Sequence, residues 1–116
     1  MSTTDNSIEH FMHRQIECWN AGDKQGFLQC YRDIASTGLD IEYVGMDKHD
    51  PWLMLEGMWQ QQPHIRIEVK ESIIIGNEGA AHHINHLVAG GISTETIEFY
   101  SLQDGKLSSR IFIKPA

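Results

Sequence analysis

The chain has 116 residues, 41% of them hydrophobic with three Trp, which suits one domain with a packed core and excludes a disordered chain. A net charge of −7, with nine scattered Lys and Arg, excludes a face that tracks nucleic-acid phosphates and offers no basic run to a membrane surface. No apolar stretch approaches the ~20 residues of a membrane span. The segment Met1–Ser7 lacks the charged and apolar regions of a signal peptide. Cys18 and Cys30 stand in no metal-spaced motif, so they read as packed thiols of a reducing cytoplasm. The expectation is a single cytoplasmic domain over residues 1–116, with 1–6 flexible.

In chain order, Ile8, Phe11, Met12, Ile16 and Trp19 share one helical face, predicting a helix over 7–20. Asp5 or Ser7 caps its start and Ala21-Gly22 ends it. Asp23 caps a second helix with Phe27, Leu28, Tyr31 and Ile34 inward. Leu39, Ile41 and Tyr43 alternate with acidic residues in a first strand, 39–44. Asp50-Pro51 restarts a helix whose stripe is Trp52, Leu55 and Trp59.

From Ile65 onward the pattern is strand. Ile65, Ile67 and Val69 alternate with Arg66, Glu68 and Lys70. Asn77-Glu78-Gly79 predicts a three-residue loop, Gly90-Gly91 and Asp104-Gly105 two-residue turns. Residues opposed across antiparallel strands share a face. Face one then holds Ile65, Ile67, Val69, Glu71, Ile73, Ile75, His83, Asn85, Thr94, Thr96, Glu98 and Tyr100, with His83 directly across from Glu98. Face two holds Ile84, Val88, Ile97, Phe99 and Phe112, an apolar patch large enough to predict a homodimer.

Trp19-Asn20-Ala21-Gly22-Asp23 at a helix exit, with the closing hairpin Ile97–Leu107, resembles the nuclear transport factor 2-like superfamily, which includes SnoaL-like cyclases and ketosteroid isomerases. The likeness covers about Ser7 to Ile113. It implies an α+β cone of the cystatin-like kind: three N-terminal helices packed in a strongly curved, mostly antiparallel sheet. It also implies a hydrophobic pocket between sheet and helices, and a homodimer through the outer face. Glu98 falls where the isomerases and cyclases carry an acid. Tyr43 falls where the isomerases carry their general base, and Gln15 where they carry an oxyanion-binding Tyr. Steroid isomerisation is therefore not expected; a cofactor-free isomerase, cyclase or dehydratase of another kind is, as is a noncatalytic binding or interaction module.

A carboxylate among apolar side chains needs a partner or a task. His83 with Glu98 forms either a general base for a proton beside a carbonyl or a pair that only satisfies itself. Glu98 left dry would have a raised pKa. Asn85, Thr96 and Tyr100 would bind substrate oxygens, Tyr43 stands at the pocket mouth with Asp47 and His49, and Trp59 walls an apolar ligand. His82, His83 and His86 do not form a metal site, because on one strand His82 and His86 lie ~13 Å apart and His83 points away. No metal or cofactor is expected; the partners are a small apolar carbonyl or hydroxyl compound and a second copy of the chain.

Overall fold

The computed structural model describes residues 7–114; residues 1–6, expected to be flexible, and the alternative cap Asp5 lie outside the described residues. α1 spans Ile8–Ala21, and Ser7 Oγ accepts the His10 N–H at 3.1 Å, satisfying one of the helix's open donors. Asp23 does the same for α2, Lys24–Ile34, through Gly26. Strand β1, Gly38–Tyr43, follows, and α3, Pro51–Trp59, comes after it with Asp50 accepting from Trp52 and Leu53. Two helices therefore precede β1 and the third follows it, the order expected along the chain, with only the first two N-terminal to the whole sheet. A short 3-10 turn, Gln62–His64, leads into β2, Ile65–Ile75. β3, β4 and β5 cover Glu78–Leu87, Thr94–Gln103 and Lys106–Ile113.

The five strands form one curved, unclosed sheet in the order β1-β5-β4-β3-β2, with β1 parallel to β5 and the other pairs antiparallel. Its concave face closes over Ile8, Phe11, Met12 and Trp19 of α1 and Phe27 and Tyr31 of α2, all buried. The helix comes close: a Cβ on Gly79 would stand 2.5 Å from Met12 Sδ. The exit of α1 is tied to the start of β2 by the motif noted above. Trp19 Nε1–H donates to the Ile65 carbonyl at 2.9 Å. Asn20 donates to the Ile67 carbonyl and accepts the Ile67 N–H, at 2.8 and 2.9 Å. One amide side chain thus stands in for a missing strand neighbour.

The last hairpin has the expected register, Leu102 opposite Leu107, Tyr100 opposite Ser109 and Glu98 opposite Ile111. Its turn places Asp104 and Gly105 at φ 52° and 79°, the conformation that favours this residue pair. The other two turns differ from expectation. β2 and β3 are joined by two residues, Gly76-Asn77, with Ile75 opposite Glu78. The register then shifts between Val69 and Glu71. This bulge inserts Lys70 without a partner and reverses the faces beyond it. Glu71, Ile73 and Ile75 consequently lie on the outer face, with Ile73 and Ile75 62% and 74% exposed; Ile74 faces the core instead. Between β3 and β4 six residues, 88–93, replace the two-residue turn at Gly90-Gly91. The pairing slides by two, so His83 stands opposite Thr96 rather than Glu98, while every face is kept.

Candidate functional site

A cavity of about 310 Å³ lies between the concave sheet face and the helices. α1 contributes Gln15, Ile16 and Trp19, α2 Phe27 and Tyr31, β1 Ile41 and Tyr43, and α3 Met58. The sheet adds Ile65, Ile67, Asn85, Thr94, Thr96, Glu98, Ser109, Ile111 and Ile113, and Gln61 borders it after α3. Of the residues read from sequence, Tyr43, Asn85, Thr96 and Glu98 line this cavity. His83, Tyr100 and Trp59 do not border it. Trp59 packs edge-to-face against Trp19 and tilted against Phe27, with ring centroids 5.3 and 5.2 Å apart.

Glu98 is the acceptor on which the polar side chains converge. His83 Nδ1 lies 3.1 Å from Oε2 and the Thr96 hydroxyl 3.4 Å from the same oxygen. The Tyr100 hydroxyl donates to Oε1. Behind Tyr100 the chain of donors continues: Gln15 Nε2–H donates to the Tyr100 oxygen at 3.1 Å, and the Tyr31 hydroxyl to Gln15 Oε1 at 3.4 Å. Asn85 Nδ2 reaches Thr96 Oγ1 at 3.5 Å and the Thr94 carbonyl at 3.4 Å. Diagonal neighbours on antiparallel strands come within reach of long side chains, which is how His83 meets Glu98 without facing it.

Burial pushes the Glu98 carboxyl up, but the hydrogen bond and charge of His83, with donors from Tyr100 and Thr96, outweigh it and leave it below the ordinary value. A raised value is expected only of a carboxyl left without donors; here donors to the charged form favour it. Burial and the Glu98 charge push the Tyr31 and Tyr100 phenols well above their ordinary value, and the same two causes push Tyr43 up to about 12. All three phenols are therefore hydrogen-bond donors at neutral pH. The Tyr43 hydroxyl makes no hydrogen bond among the described residues, leaving its proton available at the cavity wall.

Gln15 and Tyr31 were legible only as core or as a lost isomerase position. The signal for Gln15 was a polar residue within the Phe11-Gln15-Trp19 stripe of α1, where it is buried. Beyond the cavity, a shallower recess bounded by Met46, Asp47, His49 and Met54 shares Tyr43, Met58 and Gln61 with it. On the outer face His82 pairs with Glu95, and His86 with Glu68, each at 2.8 Å. His83 is on the other side, so the three imidazoles serve three separate carboxylates. Among the described residues no group of three or more His, Cys, Asp or Glu is placed to hold a metal ion.

An α+β sheet curved around a helix-lined cavity, with a part-buried acid on its wall, defines the class of the fold. No protein-family profile matches the chain, and no curated protein does. Solved structures do. A nuclear transport factor 2-like protein of unknown function from Cytophaga hutchinsonii superposes with a TM-score of 0.73 at 12% identity, covering 99% of this chain and 96% of that one. A candidate isomerase of the SnoaL-like family from Agrobacterium tumefaciens gives 0.69 at 13% identity, with 97% and 100% covered. Another nuclear transport factor 2-like protein of unknown function, from Burkholderia pseudomallei, gives 0.65 at 13% identity, with 97% and 92% covered. The chain has the nuclear transport factor 2-like fold. Among the described residues no helix is long and apolar enough to cross a membrane.

Proposed function

We propose that the chain is a small-molecule-binding domain whose cavity takes a compact, largely apolar compound bearing a hydroxyl or carbonyl group. The observation that carries this reading is Glu98: an ionised acceptor at the floor of a cavity whose walls are chiefly apolar. Pockets of this kind use a few placed polar groups to orient an apolar ligand. Glu98 accepts from the ligand's hydroxyl, and the Tyr43 hydroxyl donates to its carbonyl oxygen.

In the catalytic form of this reading, Glu98, oriented by His83, removes a proton from the carbon beside that carbonyl, and Tyr43 holds the developing enolate oxygen. Return of the proton at another carbon gives isomerisation, attack of the enolate carbon on a second carbonyl gives cyclisation, and loss of a β-hydroxyl as water gives dehydration. None of these requires a cofactor. One observation favours the noncatalytic module instead: three donors already hold Glu98 low, which weakens it as a base. Turnover of a bound carbonyl compound, abolished in Glu98→Gln while the fold is kept, supports the enzyme; equal turnover by the variant removes Glu98 from that role.

The outer face supports a homodimer. Ile84, Ile97, Phe99 and Phe112 lie there, with Phe99 and Phe112 in edge-to-face contact at 5.7 Å, and exposed Ile73 and Ile75 extend the patch; Val88, expected with them, falls in the connection after β3 and is exposed. The free thiols Cys18 and Cys30 suit a reducing, cytoplasmic setting.

A further inference from the structure

We infer that the cavity selects a cationic ligand, an apolar body carrying a protonated amine, and rejects carboxylates and phosphates. The inference rests on the ligand-binding reading above and uses Glu98 as an anchor rather than as a base. Its basis is the charge of the lining. Among the described residues Glu98 is the one Asp or Glu on the cavity wall, and none of the described Lys, Arg or His lines it. The adjoining recess, which shares Tyr43, Met58 and Gln61 with the cavity, adds Asp47 and His49 and, among the described residues, no Lys or Arg. The nearest imidazole, His83, stands behind the carboxylate and outside the cavity lining, with its side chain only 3% exposed.

An anion brought to this floor would sit beside a carboxylate, while the one neighbouring imidazole, His83, is already engaged by that carboxylate at 3.1 Å and stands outside the lining; like charges repel more strongly there than in bulk water. An ammonium meets the opposite conditions. It loses water on entry, and Glu98 replaces part of that hydration with a charge-assisted hydrogen bond. Trp19, Phe27, Tyr31 and Tyr43 are among the residues lining the same cavity, and aromatic side chains can receive a cation over their faces, Trp best of all. Holding Glu98 ionised through Tyr100, Thr96 and His83 is what an anchor for a cation needs. The ligand's hydroxyl or carbonyl remains available to Tyr43.

The test is calorimetric titration at neutral pH with three compounds that share one skeleton: 2-naphthylmethylamine, 2-naphthalenemethanol and 2-naphthoate. The amine is expected to bind one per chain and about tenfold more tightly than the alcohol, the difference between a charged and a neutral hydrogen bond. Naphthoate should give no saturable heat. In Glu98→Gln both amine and alcohol should weaken, the amine by the larger factor, so that it falls to the affinity of the alcohol or below it. The rank order in the unaltered protein decides the point by itself if that variant does not fold. Alcohol binding with no preference for the amine, or naphthoate binding as tightly as either, overturns the inference and leaves the ligand-binding reading standing. Failure of all three to bind overturns both.

Discussion

His83 Nδ1 lies 3.1 Å from Glu98 Oε2, yet the two residues are not cross-strand partners: His83 faces Thr96, and Glu98 faces Ala81 on one side and Ile111 on the other. The contact is a diagonal one across β3 and β4. It belongs to a set of donors that all point at one carboxylate, so the pair is better described as an anion and its support than as an isolated ion pair.

That arrangement has a pH signature. Because the folded Glu98 carboxyl is held below its ordinary value, its ionisation stabilises the fold at pH above the unfolded value of about 4.3. The contribution is lost as pH falls through the lower folded value. Urea midpoints measured from pH 6 to pH 3 should therefore fall more steeply for the wild type than for Glu98→Gln. Exposed Glu68 and Glu95, also lowered, are common to both proteins and cancel in the comparison. Parallel curves would contradict the role given to Glu98.

Asn20→Ala should destabilise the protein by about 1–2 kcal/mol, since two hydrogen bonds to the Ile67 backbone are lost together. The variant should leave ligand binding intact, because Asn20 does not border the cavity. Equilibrium unfolding reads the first effect. A change below a few tenths of a kcal/mol would show that water replaces the side chain at no cost.

The outer face predicts association. Light scattering at micromolar concentration should give the mass of two chains, and Phe99→Arg should give that of one without altering the circular dichroism. Phe99 is 46% exposed in the single chain, so the substitution disturbs little of the core. A wild-type mass of one chain would remove this surface from the account.

Much of this fold was legible because its signals are local. Ser7, Asp23 and Asp50 cap their helices through their own side chains, and Asp104-Gly105 fixes the last hairpin's register by its turn geometry alone. The bulge at Lys70 was hidden because Ile73-Ile74-Ile75 is a continuous apolar run. With no alternation there, either phase fits, and in an unbulged ladder only a longer loop keeps Ile65 and Ile67 inside. The bulge does that work instead, leaving room for a two-residue turn. At Gly90-Gly91 two glycines suggested a tight turn, but Val88 and Ser93 also leave the ladder. That error slid the pairing by two residues, an even number, and so preserved the faces. For the same reason Glu98 and Asn85 keep their expected face although their partners across β3 and β4 differ, Ala81 and Thr94 standing opposite them. Gln15 and Tyr31 were obscured by the apolar helical stripes that carry them.

The most direct test of the central claim, that this cavity holds a small apolar molecule against Glu98, is native mass spectrometry of freshly purified protein followed by denaturation and identification of what is released. The account predicts one apolar, hydrogen-bond-donating compound per chain, retained by the wild type and lost from Glu98→Gln. Protein that carries nothing, and that shows no saturable binding to apolar alcohols, ketones or amines, would contradict it.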